Sequence, residues 1–565
     1  MKLKDKIFNK YILYVICFVI LNIFDAVRDM QLVSLQIQNR YIRLEDVLPG
    51  YKMGDIWMIV SNATGIFMML IVLSGYKLKQ FLTKVNAVWT GCCILAMIIL
   101  PFVRTGKYGT ILVQEEIAII NVWWIVLVAK QICVKAFREK KMPIKFNALA
   151  WLWIAITMCM FFSVAKSHMW PIFYLGMFGC FYLTEYKKQD IIRLFNAMID
   201  GSIIAFVLMQ TIACLLRPYD TARYEMLYSD CNMAASYYLI IYVMCLAKLH
   251  LLYIYQTKIW KRMLYTLMAG VALSLQFMTG CRTVWGAAVV VTVFYGIIVV
   301  KKLWNKNWIS VFICGILLTA VTIMMLFSTY LAIRWMPTVL PARLWYADEL
   351  ERLNREVLIG ESKYSEKYVE FDELIQQHLA RIIRTFVPEW GDLSIIMPYT
   401  NDRLVGESKT AIITRGLTNV VATQEKTSKA IDLSLKDRAA IYKAYYNELT
   451  WWGNNITDEN MVKMRYHAHS LYLQIAFSYG IPAGMLLIII AVGLSIYSYK
   501  RVIKDRNNPY VIIPFMVCII FFGTGIMNVV WNTGQLMLFL VYFTQYPFRK
   551  IDACICLAEE KKSEE

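Results

Sequence analysis

The sequence predicts an all-α polytopic membrane protein with about fourteen transmembrane helices and one long extracytoplasmic loop. Of its 565 residues, 59% are hydrophobic and 18% are charged, against roughly a quarter charged in an ordinary soluble domain. The mean hydropathy is +0.50 over the whole chain. This composition excludes a soluble globular protein, a disordered chain and a single-pass anchor on a soluble body.

The helices are predicted from apolar runs of roughly 17 to 25 residues, the length needed to cross about 30 Å of hydrocarbon. They lie near 11–26, 55–75, 85–103, 112–129, 146–164, 169–184, 194–216, 231–255, 263–280, 283–300, 308–333, 470–498, 511–531 and 533–548. The break at Gly480-Ile481-Pro482 predicts that the run at 470–498 divides into a half-helix and a full helix.

The orientation follows from the basic residues, because cytoplasmic connections are enriched in Lys and Arg. Every second connection is basic, at residues 2–10, 77–84, 135–145, 187–193, 258–262, 301–306 and 500–506. This alternation predicts a multi-pass protein of the cell membrane with both termini in the cytoplasm. The N-terminal run has no small-residue cleavage site, so we interpret it as a retained first helix.

The same alternation divides the chain into a bundle at 1–333, an extracytoplasmic loop at 334–466, further transmembrane helices at 467–548 and a cytoplasmic tail at 549–565. The loop holds 18 Lys and Arg against 19 Asp and Glu, so the positive charge of the chain comes from the remaining residues, which hold 41 Lys and Arg against 21 Asp and Glu. Membrane orientation and anionic inner-leaflet lipids explain this excess. Nucleic acid is therefore not expected as a partner.

The cysteines indicate no disulfide framework, since none of the 14 lies in the loop and most lie in apolar runs. Cys554 and Cys556 follow the last apolar run, where cysteines can be acylated or bind a metal. No His or second Cys pair lies near them in the sequence to complete a metal site. We expect neither a metal nor another cofactor.

Two amphipathic helices are predicted in the loop. In the first, apolar residues recur at helical spacing from Phe371 to Phe386 and include His378, which we interpret as a face residue rather than a catalyst. It would lie on the membrane surface or cover the bundle. The second begins at Ser434, and its apolar stripe is predicted to hold Leu435, Ala439, Tyr442, Tyr446 and Leu449.

Arginines are grouped on the extracytoplasmic side. The segment Thr279-Gly280-Cys281-Arg282-Thr283 joins two apolar runs, so Arg282 lies at a membrane boundary. Moving an arginine from such a boundary into hydrocarbon costs about 2.5 to 3.5 kcal/mol. Snorkelling to the head groups is the alternative interpretation. The other members are Arg217, Arg223, Arg438 and Arg465. Together they predict a site for a phosphate or diphosphate, which guanidinium groups bind in paired fashion.

His467-Ala468-His469-Ser470 lies where the loop re-enters the membrane. A helix beginning there would favour anions at its N-terminus. Two histidines without a third ligand indicate a metal only weakly. An imidazole, which ordinarily titrates near pH 6.5, is suited to orient or deprotonate a hydroxyl.

These segments resemble motifs of the O-antigen ligase and O-antigen polymerase family of bacterial polysaccharide enzymes. His469-Ser470 followed by Gly480 resembles that family's His-Asn/Ser-X9-Gly-X-X-Gly signature, with Ala483 in place of the second glycine and Gly484 after it. The segment at 279–283 is similar to Thr-Gly-Ser-Arg-Gly. Residues 437–443 resemble Gly-Arg-X-X-Ile-Trp-Lys, and 223–232 resemble the family's Arg and Asn-X-X-Ala stretch.

The resemblance implies a GT-C-like bundle and a metal-independent glycosyltransferase that uses a polyprenyl-diphosphate-linked glycan donor and a glycan acceptor. Fixed arginines can stabilise the charge of a leaving diphosphate without a cation, so we predict that Arg282, Arg223 and Arg438 bind the diphosphate and that His469 orients or deprotonates the acceptor hydroxyl. His467, Arg217, Arg465 and Ser470 are supporting candidates. A polymerase of capsular, exopolysaccharide or O-antigen-like repeat units, working with a flippase and a chain-length regulator, is the favoured interpretation. An O-antigen ligase that transfers a finished glycan, and a lipid-linked oligosaccharide flippase or other transporter, are the alternatives.

Overall fold

The protein is built from helices and one small sheet, here described from a computed structural model. The described residues are 10–29, 32–37, 40–43, 65, 67–72, 78–103, 110–140, 148–164, 169–184, 188–217, 223–228, 231–336, 339, 342–346, 371, 374–375, 378–379, 435–454, 468–505, 508–528 and 536–545. His467, Arg465, Cys554, Cys556 and most of the loop at 334–466 lie outside them.

Residues 65 and 67–72 are helical, and six further helices with described bounds precede the central part of the bundle. They are α1 (Lys10–Asp29), α2 (Leu78–Phe81), α3 (Lys84–Val103), α4 (Thr110–Glu139), α5 (Ala148–Phe161) and α6 (Met169–Tyr182). Strands β1 (Leu32–Ile37) and β2 (Arg40–Arg43) follow α1.

The second half carries the central helices and the segments of the candidate site. These are α7 (Lys188–Leu216), α8 (Cys231–Ile254), α9 (Ile259–Met278), α10 (Arg282–Phe294), α11 (Trp308–Trp335), α12 (Leu435–Asn447), α13 (Leu471–Tyr479), α14 (Ile481–Lys504), α15 (Ile512–Cys518) and α16 (Leu536–Gln545). Strand β3 (Ala342–Tyr346) follows α11, and π-helical turns at Tyr295–Leu303 and Ile519–Gly523 extend α10 and α15.

Six helices of the described residues are long and apolar enough to cross a membrane. They are Ala118–Glu139, Asp190–Leu216, Cys231–Ile254, Arg282–Leu303, Trp308–Trp335 and Ile481–Lys504. Shorter apolar helices lie at Lys84–Leu100, Ala148–Phe161, Pro171–Tyr182 and Ile512–Gly523. The prediction of a helical membrane protein is confirmed at this level, and the number of fourteen spans stays a prediction.

Helix α8 lies at the centre of the bundle and α11 at its edge. The most apolar window of α8 is 78% buried inside the protein, whereas that of α11 is 0% buried although its mean hydropathy is 2.6. Helix α8 packs on α9, and α9 packs on α11, while α1 packs on α7. Apolar residues all around α8 are therefore covered by protein, and those of α11 remain available to lipid.

The chain does divide at Gly480, as the sequence predicted, into a nine-residue α13 and the long α14. Gly480 has φ +100°, and a Cβ there would collide with the backbone oxygen of Trp451. The chain has Ala483 followed by Gly484 where the resembling motif has its second glycine. The contact with α13 requires glycine at 484, because a Cβ there would come within 2.6 Å of the Cβ of Ala476. Gly484 is thus the glycine that allows the two helices to approach closely.

The sequence did not predict the small sheet. It is antiparallel in the order β2-β1-β3, with Leu35 opposite Ile42 on one side and Leu344 on the other. Because β1 follows α1 and β3 follows α11, the C-terminal ends of these two helices lie at the same end of the bundle. We call it the site end; α10 and α13 also begin there.

The described residues of the first loop helix are helical and pack against the bundle. Leu374 and His378 are fully buried, whereas Leu379 is exposed. The ring of Phe371 lies 5.4 Å from that of Phe327 and 5.1 Å from that of Tyr330, both in α11. The sequence left two positions open for this helix, on the membrane surface or over the bundle. The described residues cover the bundle.

Candidate functional site

Arg282 is the first residue of α10, at the site end. Gly280, with φ +65°, forms the turn between α9 and α10, and Cys281 stands in an extended conformation at the N-cap without a side-chain capping bond. No acidic residue lies in the first turn of α10. A cation at a helix N-terminus opposes the helix dipole, so the amides and the half-exposed Arg282 together form a positive region suited to an anion.

Arg223 holds the connection before α8 against this turn. Its Nε donates to the backbone oxygen of Thr279 at 2.8 Å, and its NH2 group donates to Oδ1 of Asn232 at 3.1 Å. The backbone N–H of Tyr224 donates to the oxygen of Met278 at 3.0 Å. The structure thus brings the predicted residues Arg223 and Arg282 to the same turn.

Arg217 occupies a structural position. Its guanidinium is buried and donates to the backbone oxygens of Met226 and Tyr228 at 3.2 and 2.8 Å. A third contact, of 2.7 Å, joins it to the carboxylate of Glu225. These contacts shape the turn at 225–228 that follows Arg223.

His469 lies directly before α13 in a left-handed backbone conformation with φ +50°. Few non-glycine residues adopt this conformation. Its backbone oxygen accepts a hydrogen bond from the hydroxyl of Tyr442, at 3.3 Å. Ser470, the N-cap residue, makes no side-chain capping bond, and the N–H of Leu471 donates to the backbone oxygen of Gly525 at 2.7 Å. One amide of the predicted anion-binding helix end is therefore already occupied.

Arg438 lies one helical turn before Tyr442 in α12. Its Nε is buried and has no hydrogen-bond partner among the described residues. Burial raises the pKa of the Tyr442 hydroxyl, and the nearby charge of Arg438 lowers it in part. The hydroxyl therefore stays protonated at neutral pH and donates to His469, and Arg438 lies close to that contact.

The second loop helix is confirmed as α12, but its predicted stripe is wrong. Ala439 and Tyr446 are exposed, and the buried residues are Ile441 and Tyr445. The reason is the partner surface, since the ring of Tyr445 packs 4.9 Å from that of Phe477 in α13. The buried stripe of α12 therefore contains Ile441 and Tyr445 instead of Ala439 and Tyr446. Leu449, which was predicted in the stripe, does pack against this buried cluster.

A short segment, residues 525–527, joins the two groups of predicted residues. The N–H of Leu471, two residues after His469, donates to the oxygen of Gly525 at 2.7 Å. The hydroxyl of Thr283, one residue after Arg282, lies 3.9 Å from the sulfur of Met527. Hence Arg282 and His469, which are distant in sequence, flank the same segment.

His378 covers the start of α10. Its Nε2 lies 3.2 Å from the backbone oxygen of Met278, and its ring packs against those of Phe277 and Trp285, with centroids 5.1 and 5.8 Å away. The interpretation of His378 as a face residue is confirmed by this full burial.

Asp25 and Gln276 are site residues that the sequence reasoning missed. Asp25 is buried, and it accepts hydrogen bonds from the hydroxyl of Tyr228 at 3.4 Å and from the N–H of Leu536 at 3.0 Å. Gln276 donates to the backbone oxygen of Val284 at 2.8 Å and so braces the turn that carries Arg282. An acidic residue inside an apolar run was the available signal for Asp25.

Comparisons of the chain with protein-family models, with curated proteins and with solved structures find no match. The chemistry of the site is therefore argued from its own residues. Arg282 with a helix N-terminus and Arg438 with its buried Nε provide positive charge, and His469 provides an imidazole. Such a set can bind a diphosphate and exchange a proton with a hydroxyl.

Proposed function

We propose that the protein is a GT-C-type membrane glycosyltransferase of the O-antigen polymerase kind. It would join polyprenyl-diphosphate-linked oligosaccharide repeat units into a capsular, exopolysaccharide or O-antigen-like polymer. The observation that carries the proposal is the pair of contacts that residues 525–527 make with Thr283, next to Arg282, and with Leu471, two residues after His469. The segments that carry two motifs resembling one enzyme family are separated by a long stretch of chain, and both contact this one segment.

The proposed topology has fourteen spans, with both termini in the cytoplasm and the site end outside. It is supported by the contacts at the two ends of the bundle. Asp25, near the end of α1, contacts the beginning of α16, and Arg223 before α8 contacts the end of α9. At the opposite end, Lys10 at the start of α1 lies 3.5 Å from Asp190 at the start of α7. In each of these pairs, the alternation of Lys and Arg assigns both residues to the same side of the membrane.

In the proposed reaction, the oxygen of an acceptor hydroxyl attacks the anomeric carbon of the donor saccharide. The bond between that carbon and the diphosphate oxygen breaks, and polyprenyl diphosphate leaves. The proton of the hydroxyl passes to the imidazole of His469. Arg282 and Arg438 stabilise the charge that develops on the diphosphate, an effect that fixed donors supply without a metal.

The other predicted residues take positioning roles in this scheme. Arg223 holds Thr279, and thereby the turn before Arg282, in place. Arg217 shapes the turn that follows Arg223. Tyr442 fixes the backbone of His469. A rigid arrangement of this kind is needed because small displacements of catalytic groups reduce rates strongly.

The test uses membranes from cells that make the lipid-linked repeat unit and that produce either this chain or a variant. His469→Asn and His469→Ala are expected to accumulate single lipid-linked repeat units on the outer leaflet, at normal abundance of the protein. The control is Glu448→Gln, which changes an exposed side chain near α12. The readout is the length of the lipid-linked glycan, with a membrane-impermeant glycan label reporting the leaflet.

Three outcomes discriminate among the functions. Polymer of normal length from both His469 variants would remove the proton-transfer role. Repeat units that stay on the inner leaflet would identify a flippase instead. Normal polymer that is no longer attached to a second acceptor would identify a ligase.

A further inference from the structure

A polar cavity of about 370 Å³ lies at the end of the bundle opposite the candidate site. It is formed where α1, α7 and the connection between α8 and α9 meet. Lys248, which lines it, follows Asn232 by sixteen residues in α8, or about 24 Å along a helix. The cavity is thus separate from the residues proposed for glycosyl transfer.

The floor of the cavity is an ion pair. Nζ of Lys248 lies 2.7 Å from Oδ1 of Asp200, and the hydroxyl of Tyr11 donates to the other carboxylate oxygen. The side chains of Lys248 and Asp200 are only 18% and 19% exposed. Lys248 also lies 5.9 Å from the centroid of the Tyr265 ring. Asp200 is therefore neutralised within the cavity and has a hydroxyl donor as well.

The lining as a whole carries one excess positive charge. Lys261 adds a second cation to the Lys248–Asp200 pair, and it lies 6.0 Å from the centroid of the Trp260 ring. Lys258 is the N-cap residue of α9, and Arg262 follows Lys261 in the first turn of that helix. A single negative charge, such as that of a phosphodiester, matches this balance.

One wall of the cavity is apolar and faces outward. Trp260 and Leu264, which line the cavity, are 55% and 44% exposed, and Ile259 and Met263 on the same two turns of α9 are also exposed. Tryptophan is enriched at the interface of membrane and water. A cationic cavity beside an exposed apolar wall fits a ligand with an anionic head and hydrocarbon chains better than it fits a soluble anion.

We propose that this cavity binds the head group of an anionic phospholipid in the cytoplasmic leaflet. In this arrangement, the phosphodiester contacts Lys261. The Lys248–Asp200 pair and Tyr11 contact the polar part of the head group. The acyl chains lie along Trp260 and Leu264. Basic pockets between transmembrane helices on the cytoplasmic side bind lipids in this manner. The assignment to the cytoplasmic leaflet rests on the proposed orientation, but the inference does not depend on the proposed glycosyltransferase activity.

The experiment measures binding of phosphatidylglycerol to the purified full-length protein by native mass spectrometry, with phosphatidylcholine as the neutral competitor. Lys261→Gln is expected to weaken phosphatidylglycerol binding about five-fold, the factor that corresponds to about 1 kcal/mol per lysine near an anionic membrane surface. Lys261→Arg keeps the charge and should retain binding. The matched control is Lys258→Gln, which removes a charge three residues away, at the N-cap of α9, but not from the cavity lining.

Lys261 is exposed, so its variants are expected to fold, and thermal unfolding in detergent verifies this. Equal weakening by Lys258→Gln and Lys261→Gln would indicate general surface attraction and overturn the proposal. So would equal binding of the two lipids. Competition by glycerol 3-phosphate at the affinity of the lipid would show that the cavity takes a soluble phosphate, which also contradicts the lipid assignment.

Discussion

The hydroxyl of Tyr442 donates a hydrogen bond to the backbone carbonyl oxygen of His469, with 3.3 Å between the two oxygens. This contact joins the loop helix α12 to the residue that precedes α13. It also supports a left-handed backbone conformation, φ +50°, that few non-glycine residues adopt. The position of the His469 side chain therefore depends on a residue of the loop.

We expect Tyr442→Phe to reduce polymer formation about two- to ten-fold, since a hydrogen bond of this kind contributes about 0.5 to 1.5 kcal/mol. Tyr446→Phe is the matched control, because Tyr446 lies in the same helix with 69% of its surface exposed. Glycan length and membrane abundance are measured for both variants. Equal activity of the two would show that the contact does not position His469.

Arg282 is predicted to need its guanidinium group and not only its charge. We expect Arg282→Lys to lower polymer formation about ten- to hundred-fold, the range that corresponds to loss of a charge-assisted hydrogen bond of about 1.5 to 3 kcal/mol. Arg282→Ala should lose more, since it removes the charge as well. Normal glycan length with Arg282→Ala at normal protein level would leave only the snorkelling interpretation.

Gly480 is predicted to be intolerant of a side chain. Gly480→Ala would place a methyl group against the backbone oxygen of Trp451 at φ +100°, and we expect a loss of about 1 to 3 kcal/mol in stability. Gly493→Ala is the control in α14, the helix that follows Gly480, because nothing lies within 4 Å of its Cβ position. Thermal unfolding in detergent should separate the two variants, and similar midpoints would contradict the close approach.

Asp25 is predicted to stabilise the site end of the bundle. Asp25→Ala leaves the buried N–H of Leu536 without its acceptor, which costs about 1 to 3 kcal/mol. Asp25→Asn keeps one acceptor oxygen and should be milder. The measurement is the midpoint of thermal unfolding, and an unchanged midpoint for Asp25→Ala would rule out this role.

The topology predicts which residues react with a membrane-impermeant thiol reagent. A cysteine at Thr450 should be labelled in intact cells, whereas cysteines at Lys258 and Asp505 should be labelled only after permeabilisation. Each is compared with the parent chain, which contains 14 cysteines of its own. Labelling of position 450 only in permeabilised cells would overturn both the orientation and the proposed site.

The helical class of the protein and the division of the chain at Gly480 were predictable from the sequence because both depend on local properties. An apolar run has to form a helix in lipid, where every backbone polar group needs an internal partner. Gly480-Ile481-Pro482 interrupts such a run, and the division of α13 from α14 follows from the backbone freedom of glycine. The charged connections fixed the expected orientation in the same local manner.

Only the tertiary structure decided which residues meet. The contacts of residues 525–527 with the segments of Arg282 and His469, the burial of His378 and the pairing of Asp200 with Lys248 join residues far apart in the chain. The stripe of α12 was mistaken for the same reason, because the burial of Ile441 and Tyr445 is set by Phe477 on another helix. Periodicity shows that a helix has an apolar face, but the partner surface selects the residues that it buries.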